Sequence, residues 1–543
     1  MVIASLYRRI GEKQAYLLVR DVAYGQIPRA ARAEKHRLAA EWIESLGRPE
    51  DHAEMLAHHY GGALQLARAS GQPTGALSER ARLALREAGD RASGLNAFAA
   101  AARFYAHALE LWPEDHAARP GLLFRYGKAR FEAEGAGEDV LAKARDELLA
   151  AGDRETAAEA EVMLADLAFR EGERDRVMER VAAATELVSE LPPSRVKAVV
   201  LSHVSRYHML GEANELAVAI GGEALAMAES LGLEEIRAHA LNNIGAARLH
   251  EGDPRGLDDL EESIRIALAI NSPECVRGYT NLSTLVADEG DLARSWKLAT
   301  EGRRAAEQFG EARGLRWLRA FQLGEDYQRG RWDDAVREAS EWIVECEAGS
   351  PHTHETNYRD IRGLIRLARG EIAGALDDSD KALAVARRAK DPQALWPALS
   401  SHARVLFEAG RATEADAAVD ELLTELGDAI GRISNVDIAW MVAPLGRRDA
   451  FLAAVERIGR QSRWLDAAKA IADDDFEGAA DLFGEIGTAP NEALARLRAA
   501  QRLVEQSRRG EADAHLQKAL AFFRSVGATR YVREGEALLA ASA

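Results

Sequence analysis

The stretch NYRDIRGLIRLARGEIAGALDDSDKALAVARRAKDP, residues 357–392, decides the fold of this chain. After Tyr358, the residues Ile361, Leu364, Ile365 and Ala368 recur at the i, i+3, i+4, i+7 spacing that gathers one apolar stripe on a helix. Gly370 interrupts the pattern, and Ile372, Leu376, Ser379, Leu383 and Ala386 then repeat it. Asp391-Pro392 closes the second helix, because proline lacks the amide and pushes the residue before it out of the helical region. The unit is a helix, a tight turn, a second helix and a connector.

The same unit recurs along the chain. Glycine turns stand at Gly172, Gly211, Gly252, Gly290, Gly330, Gly370 and Gly410, with successive gaps of 39, 41, 38, 40, 40 and 40 residues. Connectors follow the second helices around Gly232, Pro273, Gly310, Pro351 and Pro392. Seven residues before the turn most units carry a small residue (Ala165, Gly245, Ser283, Gly363, Ala403), and five after it Ser295, Ala335, Ala375 or Ala415. Small residues at fixed offsets let helices approach closely. Weaker turns flank the run near Gly94, Gly135–Gly137, Gly446, Asp474 and Gly510, and Thr529 to Ala543 reads as a closing helix with Leu538 and Leu539 on its inner face. A fixed period of this length predicts an all-α, right-handed superhelical solenoid of stacked helix pairs.

Composition agrees. Of 543 residues, 47% are apolar and only 6% aromatic, which favours helices over strands. The net charge of −18 repels phosphate backbones, so no nucleic acid is expected as a partner. Residues 1–40 run against this trend with five more basic than acidic residues, leaving −23 for the remainder. Cys275 and Cys346 stand alone, which excludes a disulfide framework and points to a reducing, cytoplasmic location. No apolar run is long enough to span a membrane, so no membrane partner is expected.

Candidate chemistry is thin. Gly121 to Gly127-Lys128-Ala129 has five residues between its glycines instead of four, and Ala129 offers no hydroxyl for magnesium. Asp473, Asp474, Asp475 and Glu477 suggest a calcium loop, but the twelfth position is Gly484 rather than a glutamate. His352, His354 and Glu355 lie in a connector, and His52, His58 and His59 in a helix. Neither group has the three convergent ligands of a zinc site, so all read as surface histidines. The basic stretch Arg29–Arg37 includes Glu34 and lacks interleaved aromatics, and it reads as a packing or solvated face. No serine lies in a nucleophile-elbow pattern. No cofactor, resident metal or catalytic activity is expected.

The small-residue, turn-glycine and alanine offsets resemble the tetratricopeptide repeat, and Ala101, Tyr105, Ala108 and Pro113 are similar to the second helix of one. The departure is the period, about 40 residues here against the family's 34. Residues 14–60, with LVRDVAYGQIPRAARAEKHRLAAEWIE and DHAEMLAHHY, resemble the junction before such arrays in bacterial multidomain signalling ATPases of the STAND/AAA type. Those are linked to class III adenylate or guanylate cyclases or to LuxR-type regulators, and their ATPase and cyclase motifs are not found here. The resemblance implies two segments, an N-terminal helical segment at 1–70 and a repeat array at 71–543 ending in a capping helix. It implies a signal-transduction module that binds a protein or peptide partner, or alternatively senses a small-molecule effector for a catalytic part outside this chain. It also places the concave surface at three and six residues before the small packing residue of each first helix. Those positions are His239 and Asn242, Arg277 and Thr280, Asn357 and Asp360, with Trp317 in the unit between. They are expected to be accessible and of little consequence for stability.

Overall fold

The computed structural model describes residues 22–170, 173–349, 352, 354–389, 392–426, 436–457 and 462–542. The expected turn at Gly172 and connector at Pro351 lie outside them. Every regular element among the described residues is helical, and successive helices pack as pairs. The chain divides into two compact units, residues 1–167 with 186–188 and residues 168–185 with 189–543.

The first unit holds α1 (Arg29–Ser45), α2 (Ala53–Ala69), α3 (Gly75–Gly94), α4 (Phe98–Leu111), α5 (Arg119–Glu134), α6 (Glu138–Ala150) and nearly all of α7 (Arg154–Arg170). One apolar core runs from Ala40 and Ile43 through Tyr60, Leu85 and Tyr105 to Ala129, so packing is continuous through the expected boundary at residue 70. Gly89 explains how α3 and α4 close: a Cβ there would stand 2.5 Å from the Tyr105 ring. The Tyr105 hydroxyl, carried into the core by that ring, donates to Asp90 at 2.7 Å. Gly127 plays the same part on α5, facing Leu141 of α6 where a Cβ would come within 2.8 Å. Lys128, the would-be phosphate ligand, donates instead to Glu159 at 2.7 Å.

The second unit continues through most of α8 (Arg174–Val188), then α9 (Arg195–Leu210), α10 (Asn214–Leu231), α11 (Glu234–His250), α12 (Arg255–Ala269), α13 (Glu274–Asp288) and α14 (Leu292–Phe309). The regular run ends with α15 (Ala312–Gln328), α16 (Trp332–Glu347), α17 (Glu355–Arg369), α18 (Ile372–Ala389), α19 (Pro392–Glu408) and α20 (Ala412–Leu426). Odd-numbered members from α9 to α19 are the first helices of the pairs. The turn glycines Gly252, Gly290, Gly330, Gly370 and Gly410 have φ between 78° and 86°, a left-handed conformation that costs other residues strain. At the Gly211 turn and at the acidic turn before α24 (Phe476–Ile486) that conformation falls on Glu212 and Asp474 instead. The acidic run 473–475 therefore forms a turn, in which Asp475 accepts from Gly478 N at 2.9 Å and caps the next helix.

Small residues bring paired helices into backbone contact. A Cβ on Gly256 would lie 2.3 Å from the Gly245 carbonyl oxygen, so α11 and α12 touch where neither has a side chain. In the neighbouring pairs serine does the same work with a hydrogen bond. Ser295 Oγ donates to Ser283 O at 2.8 Å, and Ser205 Oγ to Ala217 O at 2.7 Å.

The remaining helices are α21 (Ala439–Val442), α22 (Arg448–Arg457), α23 (Arg463–Ala472), α24 (Phe476–Ile486), α25 (Ala489–Glu505), α26 (Arg509–Ser525) and α27 (Thr529–Ser542). They do not extend the run outward, since α23 to α27 dock against its turns. Trp464 Nε1 donates to Ala287 O at 2.8 Å, Thr529 Oγ1 to Arg369 O at 2.6 Å, and Arg530 reaches Glu408 at 2.6 Å. Gly290 lies against Arg463 and Gly330 against Phe522, where a Cβ would come within 2.9 Å in each case. A shared core joins Leu323, Tyr327, Trp342 and Tyr358 to Leu497, Leu516 and Phe523. The turns of the run at Gly290, Gly330 and Gly370 are therefore covered by the chain itself. In the closing helix Leu538 packs on this core, but Leu539 is exposed, contrary to the expected inner face, because the two neighbours point about 100° apart on the helix.

Candidate functional site

The first helices α9, α11 and α13 stack side by side, so residues about 40 apart in sequence become neighbours. Their polar side chains form a ladder across the stack. Ser202 Oγ of α9 meets His239 Nδ1 of α11 at 2.6 Å, and Asn243 Nδ2 donates to Ser202 O at 2.8 Å. From α13, Arg277 donates to Asn243 Oδ1 at 2.8 Å and to His239 O at 3.2 Å, while Glu274 steadies the guanidinium at 2.6 Å. Asn281 Nδ2 donates to Asn242 Oδ1 at 2.6 Å. The His203 ring stacks on His239 at 4.5 Å.

Electrostatics fix the state of this ladder. Burial first, then the nearby Arg277, His203 and Arg206, hold the His239 imidazole well below its usual value, so the ring is neutral at pH 7. Its Nδ1 receives the Ser202 hydroxyl and faces the Asn243 amide, which leaves the ring proton on Nε2. One atom stands out. Asn242 is fully buried, and its Nδ2 has no hydrogen-bond partner. An orphaned buried amide costs about 1–3 kcal/mol, a cost tolerated where the group serves something other than the fold.

Of the seven positions singled out by the repeat pattern, His239, Asn242 and Arg277 enter this ladder. Thr280 lies beside it, buried, with its hydroxyl donated to Val276 O at 2.8 Å. Trp317 on α15 belongs to a separate aromatic group, its ring 4.2 Å from His354 and 5.7 Å from His352. Asn357 is exposed on α17. Asp360 is buried, and burial together with the nearby Asp437 and Asp378 pushes its carboxyl well above the ordinary range. The expectation of uniformly accessible positions thus fails at Asn242, Thr280 and Asp360, because neighbouring first helices pack tightly enough to cover what a single amphipathic stripe leaves outside. Ser202, Asn243 and Asn281 belong to the ladder and were not singled out. Their signal was available in the Asn242-Asn243 pair and in Asn281, one residue past an expected groove position.

His352 and His354, expected at the surface, are also drawn inward. Burial, with Arg316 adding to it, lowers their imidazoles to about 4 and about 3 respectively. Trp342 is fully buried, stacked on Tyr358 at 4.5 Å with Arg319 4.8 Å from its ring.

No protein-family model and no curated protein sequence matches the chain. Among solved structures it is similar to a Rap protein complexed with competence and sporulation factor, at 14% identity and TM-score 0.43 over 70% of this chain and 99% of that one. It is also similar to aspartyl phosphate phosphatase F from Bacillus subtilis, at 13% identity and TM-score 0.35 over 70% and 94%. A third likeness is to a STAND protein with a tetratricopeptide repeat sensor from Pyrococcus horikoshii, at 14% identity and TM-score 0.32. That match covers 74% of this chain but only 54% of the other. Function is accordingly read from the side chains.

Proposed function

We propose that this chain is a non-catalytic helical-repeat module in bacterial signal transduction, binding an extended protein or peptide segment across α9, α11 and α13. The observation that carries the reading is the cross-repeat ladder with its orphaned Asn242 amide. Side-chain amides and a guanidinium at regular intervals match the alternating carbonyl and amide groups of an extended backbone. Occupation would draw Asn281 off Asn242 and give both carboxamides new partners. Arg277, Asn281 and His203 are partly accessible and form the outer rungs, with Thr284 exposed one turn beyond.

The chain's net acidity supports a protein partner over nucleic acid, and its two buried free cysteines support a cytoplasmic setting. The segment resembling the junction of signalling ATPases supports an attachment to such an engine, and hence a regulatory role. A second reading, sensing of a small effector, is favoured by one specific feature. Trp317, Trp342, Tyr358, His352 and His354 assemble a separate aromatic group, the kind of lining small ligands use.

The test is selection of binders from a random-peptide display library, followed by anisotropy titration of a selected peptide. Arg277→Ala with Asn281→Ala should weaken binding by about 1–3 kcal/mol, the usual range for anchor residues. Binding untouched by that pair would contradict the peptide reading, and loss on Trp317→Ala alone would favour the effector reading.

A further inference from the structure

The histidines His58 and His59, read from the sequence as surface residues, acquire a third partner in the fold. α1 lies against α2, and this brings His36 onto them. The three imidazole rings form a triangle with centroids 5.1, 5.1 and 5.8 Å apart. One nitrogen from each lies within 4.8 Å of the other two, and His36 Nδ1 stands 2.9 Å from His59 Nδ1. Consecutive residues on a helix ordinarily diverge, so the convergence of His58 and His59 depends on the ring wedged against them.

Two features show that the backbone is arranged around His36. Gly61-Gly62 sits inside α2, where each glycine costs about 1 kcal/mol relative to alanine. At Gly62 the reason is visible: a Cβ would come within 3.2 Å of the His36 ring, on the turn that follows His58 and His59. On its other side His36 Nε2 meets the Tyr24 hydroxyl at 2.6 Å. That contact orients the ring and directs Nδ1 toward the other two histidines, the usual arrangement of a metal-ligating histidine with an outer hydrogen-bond partner.

We propose that His36, His58 and His59 form a binding site for a borderline divalent transition-metal ion of the zinc class, with Tyr24 as the residue that positions His36. Three imidazole nitrogens and no carboxylate select zinc, nickel, cobalt or copper over magnesium and calcium. Nitrogens bound tetrahedrally at about 2.0–2.1 Å stand about 3.3 Å apart, so ring rotations of roughly 1 Å complete the geometry. The fourth position falls to water or to a donor from outside, since His58 is exposed. Arg32 lies one turn from His36, with its guanidinium 5.0 Å from the Tyr24 ring.

The experiment is calorimetric titration of the untagged full chain with zinc chloride, paired with cobalt(II) absorption. One equivalent should bind at about 10 µM or tighter, with tetrahedral cobalt bands. His58→Gln changes an exposed side chain, so it leaves the melting temperature of the metal-free chain unchanged and should weaken binding at least tenfold. His36→Gln should do the same, and Tyr24→Phe should cost about tenfold through the outer contact. No binding at about 100 µM zinc, or isotherms for His58→Gln and His36→Gln that match the parent, would overturn the proposal.

Discussion

Asn281 and Asn242, 39 positions apart, share a hydrogen bond of 2.6 Å that links two neighbouring first helices, while the amide of Asn242 is left without a partner. Asn243, next to it, is fully buried and engaged on both sides, donating to Ser202 O and accepting from Arg277. The two asparagines therefore respond differently to truncation. Asn243→Ala strands a buried carbonyl and part of a guanidinium and should destabilise by about 1–3 kcal/mol. Asn242→Ala also removes an orphan donor and should cost less, by about 1 kcal/mol. Urea denaturation of the two variants side by side measures the difference.

The turn glycines separate strain from docking. Gly330 and Gly410 have nearly the same φ, 78° and 81°, so alanine suffers similar backbone strain at both. At Gly410 a Cβ meets open space, and at Gly330 it meets the Phe522 ring at 2.9 Å. Gly410→Ala should cost about 1 kcal/mol, and Gly330→Ala a further 1–3 kcal/mol from overpacking. Equal melting temperatures for the two variants would show that α26 does not dock on this turn.

Asp360 supplies a pH dependence with a definite sign. Its carboxyl titrates above the unfolded value because burial, then Asp437 and Asp378, penalise the charge. The folded state thus holds a proton that the unfolded chain has already released. Stability from this group is greatest near and below the unfolded value of about 3.9 and is lost as pH rises toward the folded value. Asp360→Asn removes the dependence, so its gain in denaturation midpoint should be larger at pH 8 than at pH 5.

Gly127 and Lys128 are committed to packing and to Glu159, so calorimetry with ATP should show no saturable heat. Lys128→Ala should leave that result unchanged and cost no more than about 1 kcal/mol, the ceiling for a partly exposed ion pair.

Much of the fold was legible because turn glycines and small packing residues act locally. Gly370 ends one helix through its own φ, and Gly245 announces a close contact through its missing side chain. What stayed hidden depends on contacts across long separations. The docking of Thr529 on Arg369 and of Trp464 on Ala287 spans 160 and 177 positions and leaves no periodic trace. Asp378 was equally hidden. It sits fully buried beside the apolar stripe of α18 because Arg362 and Arg366 reach it at 2.6 Å from the preceding helix. The candidate site was half legible. Repeat offsets reach His239, Asn242 and Arg277, whereas Asn243 and Asn281 join them only once three helices are stacked. His36 shows the same limit, since α1 alone gives no reason to pair it with residues 22 and 23 positions away.

Hydrogen–deuterium exchange with a library-selected peptide bound tests the central claim most directly. The ladder predicts new protection in residues 195–210, 234–250 and 274–288, and its loss when Arg277 and Asn281 are both alanine. Protection confined to the second helices, 214–231 and 255–269, or retained in the double variant, would contradict it.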